Sequence, residues 1–182
     1  MLETLGATVR EVRKVEQLSD LEGLVIPGGE STTIAKLMVH YGLLEPIREF
    51  ARSGRPIYGS CAGLIALARD TVEGGQPTLG LMDIVARRNA FGRQLHSFEA
   101  DLDVAGIEGG PLRGVFIRAP WIEEAGPAVR VLARYEDHIV AAEEGPLLAT
   151  AFHPELTGDS RLHAYFLGKV RQSLNTRYSP PA

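Results

Sequence analysis

The chain has 182 residues, 45% of them hydrophobic and 23% charged, with a formal net charge of -4. That length can bury one sizeable core, and the acidic balance leaves no basic footprint for nucleic acid. No apolar run reaches the roughly 18 residues of a membrane span, the start lacks a signal peptide's apolar core, and one cysteine cannot form an internal disulfide, so a cytoplasmic setting is expected.

Residues 7–12 (ATVREV) read as a short strand. Residues 23–27 (GLVIP) read as a buried strand by their continuous apolar run. Ser31 is a plausible N-cap for the helical stretch STTIAKLMVHYG. A second helix, LLEPIREFARSG, carries Pro46 near its start and stops at Gly54. Residues 56–59 read as a strand, and CAGLIALARD as a helix with Leu64, Ile65, Leu67 and Ala68 turned inward. This alternation predicts an α/β fold with a parallel sheet covered by helices. Residues 81–87, 97–104, 115–118, 129–134, 138–142 and 147–152 read as further strands between Gly, Pro and Asp turns, so part of the second half is expected to be antiparallel. A closing helix, SRLHAYFLGKVRQSLNTRY, has Leu162, Tyr165, Phe166, Val170 and Leu174 as its core stripe, and a frayed tail follows it. No metal-ligand spacing, repeat or linker is present, and residues 1–182 are expected to form one domain.

The single cysteine sits in YGSCAGL as Gly59-x-Cys61-x-Gly63, after a strand and before a helix. A strand that turns sharply into a helix crowds its neighbours, and small flanking residues relieve the crowding, as in nucleophile elbows. A helix N-terminus favours a thiolate, and the N–H of Ala62 would face an oxyanion formed beside Cys61. Without this context a lone cysteine reads as a small buried hydrophobe; with it, Cys61 reads as a nucleophile.

A nucleophilic cysteine needs a base, and the base an orienting group. His40, His96, His138 and His163 read as surface residues, but His153 ends the apolar run LLATAF and opens HPE. On an extended backbone, His153 and Glu155 would project together, with Pro154 holding His153 out of a helix. At the end of another strand, IPGGES places Gly28 and Gly29 where backbone can approach a ligand closely.

These three pieces together resemble the class I, or triad, glutamine amidotransferases. RNAFGRQLHSFEADL, GVFIRAPWI, PGGESTTIAKLM and FHPELTGDSRLH are similar, more narrowly, to the glutaminase subunits of pyridoxal 5′-phosphate synthase. The resemblance implies a three-layer fold, a mostly parallel central sheet with helices on both faces plus an antiparallel extension. It also implies hydrolysis of L-glutamine to L-glutamate and ammonia by Cys61, His153 and Glu155. It places glutamine-binding positions on Gly29, Glu30, Ser31, Arg88, Ile117 and Arg118, by backbone or side chain, and an oxyanion hole on the N–H groups of Gly29 and Ala62. It implies a hetero-oligomer with a synthase subunit that uses the ammonia to make pyridoxal 5′-phosphate, with no cofactor site in this chain. Family members begin with an apolar strand, a Gln-Gly loop and a helix, so an upstream extension beyond Met1 is expected. Two other readings stay open: a stand-alone γ-glutamyl hydrolase-like enzyme, and a truncated, inactive assembly subunit.

Overall fold

A computed structural model describes residues 1–92 and 97–178. His96, the end of the RNAFGRQ motif and the tail at 179–182 lie outside the described residues. Strand β2 (Ile57–Ser60) is buried at every position, which requires cover on both edges and both faces. Strands β1 (Leu24–Ile26) and β10 (Leu147–Thr150) supply the edges, each parallel to β2.

The faces follow from the two-residue period of a strand. Tyr58 packs on His163 and Phe166 of the closing helix α4 (Arg161–Tyr178). Its neighbour Gly59 faces the opposite way, against Gly63 and Leu64 of helix α3 (Ala62–Leu67). Burying side chains such as Tyr58, Leu64 and Phe166 stabilises the layers by roughly 1.5–3 kcal/mol each. Helices α1 (Ser31–His40) and α2 (Leu44–Arg52) follow β1, and the inward residues of α2 are Ile47 and Phe50.

Beyond β10 the sheet turns antiparallel through β9 (His138–Glu144), β7 (Trp121–Ala125) and β4 (Met82–Arg87), then ends with β3 (Ala68–Thr71) parallel to β4. Strand β8 (Arg130–Tyr135) pairs with β9. A separate hairpin, β5 (Ser97–Leu102) and β6 (Leu112–Ile117), stacks Phe98 on Phe116 and packs Phe116 against Phe152 and Phe98 against Tyr135 at tilted angles. These are the parallel core and antiparallel extension expected of a class I glutamine amidotransferase.

Four local readings change. Residues 7–12 have no regular secondary structure and pair with no strand; β1 forms the sheet's edge, an apolar groove lined by Leu18, Ile34 and Met38 runs beside both, and Val9 is exposed. A strand without a ladder partner leaves its backbone to water. Helix α3 stops at Leu67, because Ala68, Asp70 and Thr71 pair with β4. The hydrogen-bond ladder there overrides the helical apolar pattern. Residues 121–125, read within a motif but not as a strand, form β7 between β4 and β9. His163 is buried rather than on the surface, under Tyr58.

The close fit of α3 generates a prediction. A Cβ on Gly63 would lie 2.0 Å from the Ile26 carbonyl oxygen, whereas one on Gly168 in α4 meets nothing within 4 Å. Gly63→Ala should therefore cost about 1–3 kcal/mol, lowering Tm by roughly 2–12 °C. Gly168→Ala should instead stabilise the helix by about 0.5–1 kcal/mol. Calorimetry checks both signs, and a Gly63→Ala chain as stable as the parent would contradict this packing.

Candidate active site

Cys61 occupies the turn between β2 and α3 with φ 50 and ψ -103. That conformation is strained for a residue with a Cβ. It is held by the Cys61 N–H donating to the Thr150 carbonyl at 2.7 Å. A Cβ on Gly59 would lie 2.4 Å from the Gly63 carbonyl oxygen. The flanking glycines thus let α3 sit directly on the strand backbones, so the chain can reverse at Cys61.

His153 follows β10, and its N–H donates to the Val115 carbonyl of β6 at 2.8 Å. Its side chain shares a cavity wall with Cys61 and hydrogen-bonds to Glu155, with Nδ1 2.7 Å from Oε1, while Cys61 Sγ lies 4.0 Å from the Ile117 carbonyl oxygen. The backbone carrying them is a tight 3-10 turn, Pro154–Leu156, rather than the extended segment expected. Proline at the first position of a helical turn loses no bond there, and the turn still brings the two side chains together. Gly28 matters to the imidazole rather than to a ligand, since a Cβ there would sit 2.2 Å from His153 Cε1.

The electrostatics suit proton transfer. Interaction with Cys61 first, and then the hydrogen bond to Glu155, push the His153 pKa from 6.5 to about 10 against the opposing effect of burial. Burial works to raise Glu155, but the hydrogen bond with His153, a backbone hydrogen bond and the charges of His153 and His163 together outweigh it and leave its pKa below the ordinary value.

A cavity of about 220 Å³ opens beside Cys61. Gly29, Glu30 and Ser31 wall it from the end of β1 and the start of α1, next to Cys61 and Ala62. Arg88, Ile117 and Arg118 reach it from the ends of β4 and β6, and His153 completes it. Every expected site residue therefore lines one cavity except Glu155, which stands behind His153. The position at the carboxyl ends of sheet strands is where open α/β folds bind ligands. Ala62, as the first residue of α3, has an N–H with no partner within the helix.

Glu30 rather than Ser31 caps α1. Its carboxylate accepts from the N–H groups of Thr32 and Thr33 at 3.0 and 2.7 Å and from both threonine hydroxyls. Those bonds, the Thr32 hydroxyl first, lower its pKa to about 2 and keep it charged. Sequence reasoning missed Asn89, Ile65 and Pro120, which also line the cavity. It also missed Gln76, behind the cavity between Ser31 and Arg88. Asn89 and Arg118 share the positive φ of Cys61, at 44° and 43°, and only the fold reveals that clustering. Among the described residues no group of three or more His, Cys, Asp or Glu could hold a metal ion, and no helix is long and apolar enough to cross a membrane.

A family model for the SNO glutamine amidotransferase family matches residues 1–172. The chain belongs to that family. It is 59% identical over 174 residues to "Pyridoxal 5'-phosphate synthase subunit PdxT" of Frankia alni, covering 94% of this chain and 87% of the relative. It is likewise 59% identical to the PdxT of Herpetosiphon aurantiacus, covering 92% and 90%. A solved glutamine amidotransferase superposes with a TM-score of 0.89 at 48% identity, covering 93% of this chain and 90% of that one.

The raised basicity of His153 gives a prediction. Its ring, followed by NMR, should titrate near pH 10 rather than 6.5. Glu155→Gln should lower that midpoint, because a neutral amide stabilises imidazolium less than a carboxylate does. Cys61→Ala should lower it further, since Cys61 is the larger cause. A midpoint near 6.5 that neither substitution moves would contradict the coupling.

Proposed function

We propose that Cys61, His153 and Glu155 are a catalytic triad by which this chain hydrolyses L-glutamine to L-glutamate and ammonia, for a synthase subunit that makes pyridoxal 5′-phosphate. The observation that carries the reading is the strained Cys61 turn and the His153–Glu155 hydrogen-bonded pair meeting at one small cavity. The family match and relatives named as pyridoxal 5′-phosphate synthase subunits support the substrate and the partner. They also favour a partner-coupled enzyme over a stand-alone hydrolase.

Cys61 Sγ attacks the carbon of the glutamine side-chain amide; its proton has already passed to His153, whose raised basicity keeps it there at neutral pH. The carbonyl oxygen gains negative charge, which the N–H groups of Gly29 and Ala62 stabilise. A base with a pKa of about 10 holds its proton at neutral pH, so His153 carries it until the nitrogen leaves as ammonia. The remaining thioester is hydrolysed by water, His153 again taking a proton, and glutamate departs. Glu155 keeps the imidazole oriented and stabilises its charge.

The free amino acid is held by complementary charges. Arg88 and Arg118 face the α-carboxylate and Glu30 the α-ammonium, and Ser31 and Ile117 contribute backbone or side-chain contacts. The thiol must stay reduced to react, which suits a cytoplasmic location for this single glutaminase domain. Ammonia released to water is largely protonated and loses its nucleophilicity, so a docked hetero-oligomer with the synthase serves the transfer.

The test is glutaminase turnover with and without the synthase subunit. The account expects a clear rise on mixing, and a loss of roughly 10³-fold or more in Cys61→Ala. Residual turnover in Cys61→Ala within about tenfold of the parent would overturn the nucleophile. Equal rates with and without the synthase would favour the stand-alone hydrolase.

A further inference from the structure

Gln76 lies in the turn GGQP between β3 and β4, outside every motif tied to the reaction. Its carboxamide is used at both ends. The oxygen accepts from Ser31 Oγ at 3.2 Å and from Arg88 Nη1 at 3.1 Å. The nitrogen donates to the Ser31 carbonyl at 3.3 Å. One neutral side chain thereby ties the first turn of α1 to a guanidinium delivered from the end of β4. Among the described residues, Gln76 is the one hydrogen-bonding partner of that guanidinium. The same turn holds the Arg88 backbone, whose N–H donates to Glu73 Oε1 at 3.1 Å.

We propose that Gln76 is a positioning residue, which aims the Arg88 guanidinium at the α-carboxylate of glutamine and locks its distance to Ser31. The inference rests on the glutaminase reading above. A long arginine side chain loses much of its rotamer freedom when held in one pose. Gln76 holds it before substrate arrives, so less of that cost falls on binding. Neutrality matters as much as reach. A carboxylate at position 76 would pair with Arg88 and satisfy the charge that the substrate should meet. It would also lose the donor to the Ser31 carbonyl and place negative charge near the substrate's own carboxylate. An amide orients the cation and leaves its charge unspent.

The test is steady-state glutaminase kinetics of the complex with the synthase subunit, using L-glutamine as the probe. Gln76→Ala should raise KM about five- to tenfold with kcat within about twofold, the pattern of lost ground-state binding. Gln76→Glu should raise KM further, although its side chain is nearly the same size and shape. A merely structural role would predict the reverse order, with the closer-fitting Gln76→Glu less affected than Gln76→Ala. In an Arg88→Ala background, Gln76→Ala should add nothing further to KM, because the two act as one unit. Raised KM in Arg88→Ala alone, with both Gln76 variants at the parent KM, would overturn the positioning role and leave the glutaminase reading standing. A parent KM in Arg88→Ala would overturn both the positioning role and the carboxylate assignment. Full additivity in the double variant would show Gln76 acting by another route and overturn the proposal.

Discussion

The reversal of the backbone at Cys61 is the constraint on which the rest of the site depends. A non-glycine residue in such a conformation costs on the order of 1–3 kcal/mol, and it persists only where its surroundings over-determine it. Here β2 is clamped between β1 and β10, α3 is buried at each of its six positions, and the Cys61 N–H is bound to Thr150. The glycines at 59 and 63 let the helix approach to backbone contact. Loosening any of these would let the turn relax and swing the thiol away from His153.

The same parallel pairing sets the partners. Because β10 runs beside β2, its end delivers His153 next to the end of β2, and because β1 lies on the other side, its end delivers Gly28 and Gly29. Gly28 leaves the space that the imidazole occupies. The hairpin adds a second anchor, since the Val115 carbonyl holds the His153 backbone while β6 ends in Ile117 and Arg118 at the cavity. Charge is arranged with equal economy. Glu30 is held ionised by its cap bonds, His153 is held as a strong base, and Arg88 is held by a neutral amide.

Much of this was legible in the chain. The elbow, HPE and IPGGES each carry a local signal, and the alternation of apolar runs placed them at strand ends. The cavity positions Arg88, Ile117 and Arg118 became visible only through family resemblance, since a lone arginine has no distinguishing neighbourhood. Other features depend on partners that sequence does not display. Ala68 continues a helical apolar pattern and is taken into a strand because β4 offers a ladder. Residues 7–12 carry a strand pattern and find no ladder. Gln76 sits in a GGQP turn with every mark of a plain connection, and its role appears only when Ser31 and Arg88 arrive from 45 and 12 residues away.

The central claim is that the strained turn presents Cys61 as the nucleophile, with His153 as its base. The most direct measurement treats the complex with a glutamine analogue bearing an electrophile at the side-chain amide position, then maps the adduct by peptide mass spectrometry. The account predicts one adduct, on Cys61, blocked by excess L-glutamine and strongly slowed in His153→Ala. An adduct on another residue, or an unmodified Cys61 in enzyme that the analogue has inactivated, would contradict it.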